Sequence, residues 1–231
     1  MKEENSGIGN RLKHMCTAAA AAILLAVMLL SAALLAGKYC RDQRGKAAYQ
    51  LTRKIAEMEE CEDGEEQETD IPVPLPDETR LLQMNPDYAG WIYIPGTPVS
   101  YPVVYPENNN EYLDRTFDGQ KNSCGCLFFE ASYPPLSSKN TVIYGHNMKS
   151  GEMFGSLKKY REEEFLKKNK TIYLCVEKEW TEYQIQKVYL TDSRDKSPYG
   201  PDGGASEKTR LTLSTCHGRK QRLIIQAERN G

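Results

Sequence analysis

The sequence predicts a mostly β domain of eight short strands, preceded by a membrane-spanning helix. The first observation is a series of short runs rich in β-branched and aromatic residues, bounded by Gly, Pro, Asn and Asp. The second is that few helical segments interrupt these runs. The third is an uncharged apolar stretch near the amino terminus that is long enough to cross a bilayer. Eight short strands with few helices favour a closed or nearly closed barrel.

The candidate strands follow one another through the second half of the chain. They are Trp91–Ile94, Val99–Val104, Cys126–Phe129, Thr141–Tyr144, Thr171–Val176, Tyr183–Leu190, Leu211–Ser214 and Leu223–Ala227. Helical segments are expected near Asn109–Arg115 and Met153–Lys168. The periodicity of these runs does not by itself distinguish a barrel from a sandwich.

The apolar stretch is Thr17–Gly37, which is uncharged and consists mostly of Ala, Leu, Ile, Val and Met. A cleaved signal peptide is the alternative, but its apolar core is typically about 7–15 residues long. The longer stretch favours an uncleaved anchor. Basic residues flank it on both sides, three before and four after up to Lys46, so charge does not orient the helix.

A connecting region separates this stretch from the strands. Lys46–Glu60 has helical periodicity, with Ala48, Leu51, Ile55 and Met58 at spacings of three and four, and it either packs on the domain or stands alone. Glu59–Asp70 is acidic and predicts a solvated spacer. Ile71–Pro76 alternates with proline and predicts an extended lead-in.

Composition excludes several classes of function. The 231 residues support one domain with appendages, and a net charge of −2 gives no basis for binding nucleic acid. Seven cysteines follow no framework spacing, so we expect neither a disulfide scaffold nor a metal or cofactor site. Cys124 and Cys126 are interpreted as small core residues.

Three reactive side chains lie at the ends of predicted strands. Leu211–Thr215 leads to Cys216, and Arg222 opens the following strand, which would place thiol and guanidinium side by side. Thr141–Gly145 leads to His146. A thiol, an imidazole and a guanidinium suffice for acyl transfer through a thioester.

These residues resemble the sortases, the cysteine transpeptidases of Gram-positive cell walls, and most closely class B. Thr212–Cys216 resembles the TLxTC box of the family, and Asn140–Met148 with Met153–Leu157 resembles the class B histidine segment. Asn85-Pro86-Asp87, Gly90-Trp91-Ile92 and Tyr101–Val104 resemble the start of the domain, and the likeness extends over roughly Leu81–Glu228.

The resemblance implies an eight-stranded sortase-type barrel with short helices. It implies four regions: a cytoplasmic amino terminus (1–16), a transmembrane anchor (17–37), a stalk (38–78) and an extracellular catalytic domain (79–231). The enzyme would be a single-pass protein of the cell membrane. Its partners would be a surface protein with a sorting signal, NPxTN- or LPxTG-like, and an amine acceptor from a cell-wall precursor or a pilin.

Two of the three catalytic roles have a competing candidate. Cys216 is the predicted nucleophile and His146 the general acid and base, whereas His217 adjoins the thiol but should face the opposite side of the strand. Arg222 is the predicted oxyanion stabiliser, since it directly precedes an apolar strand. Arg219 lies inside the loop and is the second choice.

Four further residues correspond to class B positions that bind the sorting signal: Asn109, Leu113, Ser214 and Thr215. Asn109 and Leu113 would share a helix face, and helix capping and core packing explain them nearly as well. The chain departs from class B in the connection Thr191–Arg210, which is rich in Pro and Gly and too short for the usual long helix. We expect this connection to be mobile and recognition to depend more on Asn109 and Leu113.

Two other functions remain open. A hydrolytic cysteine peptidase would use water as the acceptor, and amine dependence of the product distinguishes it from a transpeptidase. A non-catalytic surface protein could retain the fold, and reactivity of the thiol distinguishes it.

Overall fold

Helix α1, Lys2–Ala56, contains the apolar stretch. The computed structural model describes residues 2–56, 75–202, 208–218 and 220–230. By its internal contacts the chain divides into two compact units, one ending at Arg44 and the other beginning at Gly45. Within the described residues, Ala19–Lys54 is long and apolar enough to cross a membrane. The large apolar side chains from Ile23 to Leu35 are exposed, as a membrane span requires.

The second unit is a closed barrel of eight strands. Their order around the barrel is β1-β2-β3-β4-β7-β8-β6-β5, and pairing of β1 with β5 closes it. The strands are β1 Tyr88–Tyr93, β2 Ser100–Val104, β3 Leu127–Phe129, β4 Asn140–Tyr144, β5 Thr171–Val176, β6 Glu179–Asp192, β7 Arg210–His217 and β8 Gln221–Arg229. The prediction of eight strands in a barrel is confirmed, and the sandwich is excluded.

Short helices fill the connections. They are α2 Glu78–Met84, a 3-10 helix Gly155–Arg161, α3 Glu163–Lys168 and a 3-10 helix Ser197–Tyr199. The helical segment predicted near Met153–Lys168 is therefore present. The sequence did not predict α2, whose first turn is capped by the Asp77 carboxylate accepting from the Arg80 N–H at 2.9 Å.

The predicted helix near Asn109–Arg115 is wrong, because this segment forms a succession of turns. Asparagine side chains compete with the helical backbone for hydrogen bonds. The Asn110 N–H donates to the side chain of Asn108 at 3.1 Å, and the Ala131 N–H donates to the side chain of Asn109 at 2.9 Å. These bonds hold turns in place of a regular helix.

Residues 45–56 of α1 belong to the barrel unit and pack on it. The contact face differs from the predicted one: Leu51 is exposed, whereas Tyr49 and Thr52 are buried. Arg53 fastens this segment by donating to the backbone carbonyls of Ser100 and Pro98, both at 2.8 Å. The acidic spacer Glu59–Asp70 and most of the lead-in Ile71–Pro76 lie outside the described residues.

The short connection between β6 and β7 lies against β4 and β7. The Asn140 amide donates to the carbonyls of Pro198 and Gly200 at 3.0 and 2.9 Å, and its oxygen accepts from Thr212 at 2.7 Å. A long helix is absent from the described part of this connection, as predicted, while residues 203–207 lie outside it. The expectation of a mobile loop needs amending, since these bonds tie the part around Pro198 to the barrel.

Alternation along β7 separates two kinds of side chain. Leu211 and Leu213 belong to the barrel core and are fully buried. Since successive side chains of a strand point to opposite faces, Ser214 and Cys216 lie on the outer face. The outer face of β4, β7 and β8 is therefore where reactive groups meet.

Candidate active site

Cys216 and Arg222 are direct partners across the β7–β8 ladder. The Arg222 Nη1 donates a hydrogen bond to the Cys216 Sγ, and both side chains are half-buried. A guanidinium stays protonated and carries several donors in a fixed fork, so it can contact the sulfur and a second acceptor together. The predicted pairing of thiol and guanidinium is thus present in the structure.

His146 follows β4, which runs parallel to β7. The register joins Tyr144 to Ser214, and the Gly145 N–H extends the ladder by donating to the Ser214 carbonyl at 3.2 Å. Two residues further along, the Asn147 amide donates to the Cys216 carbonyl at 2.7 Å. The segment that carries His146 therefore stays beside the segment that carries the thiol.

The carbonyl oxygen of Leu113 fixes the tautomer of His146. It lies 2.5 Å from the His146 Nε2, and a carbonyl can only accept, so the Nε2 carries the hydrogen. In a neutral imidazole the other nitrogen then holds the lone pair. The Nδ1 is consequently the nitrogen that can take and return a proton.

Asn109 and Leu113 lie on the turns beside His146, without a shared helix face. Leu113 contributes its carbonyl to the imidazole, while its side chain is 39% exposed. The amide of Asn109 is occupied within the protein, since it donates to Glu130 at 2.6 Å and accepts from Ala131. Asn109 therefore shapes this turn, and the exposed surface next to His146 comes from Leu113.

Ser214 and Thr215 lie on opposite faces of β7. The Ser214 hydroxyl is 3.0 Å from the Tyr199 hydroxyl and is covered by it. Thr215 is 2% exposed and shares the core-facing side with Leu213. The structure therefore brings Ser214 to the side of Cys216, and it does not bring Thr215 there.

His217 was the competing candidate for the general acid and base, and Arg219 for the oxyanion stabiliser. His217 pairs with Gln221 at the strand end, and alternation puts its side chain opposite to that of Cys216, as predicted. Arg219 lies outside the described residues. In the part of the chain that the structure describes, no group of three or more His, Cys, Asp or Glu residues could hold a metal ion.

Glu130 is a residue of this region that the sequence reasoning missed. Its carboxylate follows β3 and accepts hydrogen bonds from Tyr144 at 2.7 Å, from Asn109 at 2.6 Å and from Ser132. Burial raises the pKa of Glu130, but these bonds together hold it below the ordinary value. Glu130 thereby joins the turn beside His146 to the outer face of β4. A polar residue directly after an apolar strand was the available signal.

Tyr144 and Tyr199 complete the surroundings of Arg222. Their rings lie 5.5 Å apart at 54°, and burial raises the pKa of both phenols, partly offset by the positive charge of Arg222. Both therefore remain neutral. The guanidinium thus lies beside two uncharged rings, and among the described ion pairs it has no carboxylate partner competing for its donors.

The buried cysteines behave as predicted. Cys124, Cys126 and Cys175 are buried as reduced thiols, while Cys216 is partly accessible. Burial raises the pKa of Cys126 and of Cys175 to about 12, so neither is a nucleophile at neutral pH. Among these four thiols, Cys216 is the one positioned for chemistry.

Comparison with known proteins identifies the family. The family model of the sortase domain matches residues 92–230. The sortase B of Listeria monocytogenes is 31% identical over 189 residues, covering 69% of this chain and 77% of the relative. The sortase B structure from Bacillus anthracis is 25% identical, with a TM-score of 0.67, and covers 83% of this chain and 98% of that one. The structure from Clostridium perfringens is 27% identical, with a TM-score of 0.60, and covers 67% and 100%.

The family model spans more than half of the chain, and the relatives are all class B enzymes. The chain belongs to the sortase family, and within it to class B, whose members are cysteine transpeptidases that act on surface proteins.

Proposed function

We propose that Cys216, His146 and Arg222 carry out transpeptidation in this chain. The observation that supports this most strongly is the hydrogen bond from Arg222 to the Cys216 sulfur, beside the segment that holds His146. The outer face of β4, β7 and β8 thus combines a nucleophile, a proton-transfer group and a fixed cation.

In the first half-reaction the Cys216 sulfur attacks the threonine carbonyl of the sorting signal. An Sγ–C bond forms, and the negative charge that develops on the carbonyl oxygen is stabilised by Arg222. His146 gives a proton from Nδ1 to the departing amine, so that the C–N bond breaks and a thioester remains. The Nδ1 obtains this proton from the Cys216 sulfhydryl as the sulfur attacks, so the imidazole is neutral again once the thioester has formed.

In the second half-reaction an amine attacks the thioester. His146 Nδ1 takes a proton from the incoming amine as the new C–N bond forms. The Sγ–C bond then breaks, and Nδ1 returns the proton to the departing sulfur, which restores the thiol. The Leu113 carbonyl supports this role because it holds the hydrogen on Nε2 in both half-reactions. The acceptor is an amine of a cell-wall precursor or of a pilin lysine.

The sorting peptide binds along the outer face, between the turn that ends in Leu113 and the connection that carries Tyr199. An NPxTN-type signal is the first expectation for a class B enzyme. The short connection after β6 offers less recognition surface than a long helix would. Selectivity for the sorting signal then depends more on the turn that ends in Leu113. Asn109, which is held by Glu130, stabilises this turn.

The apolar part of α1 is the membrane anchor of this proposal. Residues 1–16 are cytoplasmic, 17–37 cross the membrane, 38–78 form the stalk and 79–231 form the extracellular catalytic domain. The exposure of the large apolar side chains from Ile23 to Leu35 supports a lipid environment for this part of the helix. An outward orientation follows from the substrates, since surface proteins are modified outside the cell.

The experiment uses the full chain in detergent, a fluorescence-quenched NPxTN peptide and triglycine as the amine. Cys216→Ala and His146→Ala should abolish formation of the peptide–triglycine product. Cys175→Ala is the matched control, because it removes a buried thiol of β5, and it should change stability only. Full activity of Cys216→Ala would refute the proposal, and a product independent of triglycine would favour the hydrolytic peptidase.

A further inference from the structure

Tyr49 connects residues 45–56 of α1 to the loop before β3. Its side chain is 5% exposed, and its hydroxyl donates to the Gly125 carbonyl at 2.6 Å. Its ring meets Tyr101 edge-on, with centroids 5.3 Å apart. This is a buried bond between residues that are 76 positions apart in the chain.

Gly125 lies directly against His146. Its φ is +60°, and a Cβ built there would lie 2.8 Å from the Cδ2 of the His146 ring. The same Cβ would lie 2.9 Å from the Leu113 carbonyl oxygen, which is the acceptor of the His146 Nε2. The space where a side chain of residue 125 would begin is therefore occupied by the imidazole and by the carbonyl that orients it.

Backbone hydrogen bonds also hold the loop that carries Gly125. Gly125 donates to the Asn122 carbonyl at 3.2 Å, and Cys126 donates to the Tyr112 carbonyl at 3.0 Å. His146 itself follows the end of β4, so its ring depends on neighbouring segments for its orientation. The carbonyl oxygen of Gly125 is thus held by Tyr49. The position where its Cβ would lie faces the imidazole of His146.

We infer that Tyr49 is a positioning residue for His146, acting through Gly125. The inference rests on the proposed role of His146 as general acid and base. It gives the Tyr49 hydroxyl a role in holding the imidazole, whereas the other contacts of residues 45–56 dock this segment on the barrel. Tyr49 itself does not touch the reacting atoms.

The hydroxyl can be tested apart from the docking of the helix. Arg53 binds the Ser100 and Pro98 carbonyls and stacks over the Tyr101 ring at 4.6 Å from its centroid. Lys46 pairs with Glu152 at 3.5 Å. Since these contacts remain in Tyr49→Phe, and the phenyl ring still packs on Tyr101, the helix segment should stay in place.

The experiment compares Tyr49→Phe with Arg53→Met in the full chain in detergent. Tyr49→Phe should lower kcat about tenfold or more with KM unchanged, because a misplacement of about 1 Å can cost about 10²-fold. Arg53→Met, which weakens docking away from Gly125, should lower the Tm and leave kcat unchanged. In ¹⁵N-histidine spectra the Nε2–H signal of His146 should exchange faster with water in Tyr49→Phe only.

Wild-type kcat and an unchanged Nε2–H signal in Tyr49→Phe would overturn the inference. Equal losses of kcat in both variants would also overturn it, because docking of the helix as a whole would then explain them. His146→Ala in the same assay distinguishes a failure of the inference about Tyr49 from a failure of the proposed function. If His146→Ala is inactive and Tyr49→Phe is normal, the inference alone fails, whereas an active His146→Ala refutes the proposed function itself.

Discussion

Replacing Arg222 by lysine tests whether the guanidinium geometry, beyond its charge, is needed for catalysis. In the structure Arg222 donates to the Cys216 sulfur, and its charge acts on Tyr144 and Tyr199. Lysine keeps that charge, so the fold beside the two rings should be preserved. It has no planar fork, so it cannot serve the sulfur and the carbonyl oxygen together.

The expected cost is that of one oxyanion donor. Loss of such a donor lowers kcat by about 10²–10³, or about 2.7–4 kcal/mol of transition-state stabilisation. KM should change little, since the charge on the oxygen appears only in the transition state. The measurement is kcat and KM for an NPxTN peptide with triglycine, together with the Tm of each variant.

Two control variants accompany it. Arg229→Lys changes an exposed arginine of the same strand, β8, and should leave kcat unchanged. Arg219→Lys, in the loop between β7 and β8, should be nearly silent. Wild-type kcat in Arg222→Lys would refute the reasoning, and a large loss in Arg219→Lys instead would move the role to Arg219.

Further predictions concern Glu130, Asn140 and the orientation of the catalytic domain. Glu130→Gln places an amide N–H₂ against the donor of either Asn109 or Tyr144, so KM for the peptide should rise; wild-type KM would contradict this. Because the folded-state pKa of Glu130 is lowered, its contribution to stability is present above the unfolded value of about 4.3 and is lost as pH falls through the folded pKa. The variant should therefore lose less stability than the wild type between pH 6 and pH 3 in urea titrations, and equal losses would exclude the effect. Asn140→Asp keeps the acceptor but loses the donors to two loop carbonyls, at a cost of about 1–3 kcal/mol in urea unfolding, and it should broaden the sorting-peptide profile; an unchanged profile would show that this connection does not set selectivity. Protease added to protoplasts should remove the barrel, and its protection would contradict the outward orientation.

Most of the barrel could be predicted because its strands are short runs of β-branched and aromatic residues between turn formers. The longest strand shows the limit of this signal. β6 was predicted as Tyr183–Leu190 but spans Glu179–Asp192. Its ends carry polar residues that pair with β5 and β8. Local periodicity does not reveal which strands pair, so these ends were not predicted.

The parallel pairing of β4 with β7 brings His146 to Cys216, and no local pattern encodes it. The prediction of these residues together came from the family resemblance of their motifs. Conversely, the stripe on Lys46–Glu60 was read from spacing alone and selected Leu51, which is exposed, over Tyr49. Tyr49 packs through its ring and donates a hydrogen bond through its hydroxyl. A search for regularly spaced aliphatic residues does not detect such a side chain.

The prediction of a helix near Asn109–Arg115 was wrong for a related reason. Spacing alone placed Asn109 and Leu113 on one helix face. In the structure the asparagine side chains accept hydrogen bonds from backbone N–H groups, both within the turn and from Ala131, and these bonds replace those of a helix. Glu130 was missed because its importance lies in partners from three different segments of the chain.

The most direct test of the account is mass spectrometry of the enzyme mixed with sorting peptide in the absence of an acceptor amine. The account predicts an acyl adduct on the tryptic peptide that contains Cys216, and its disappearance with formation of the amide product when triglycine is added. An adduct on Cys124, Cys126 or Cys175, or amide product formed by a Cys216→Ala enzyme, would contradict it.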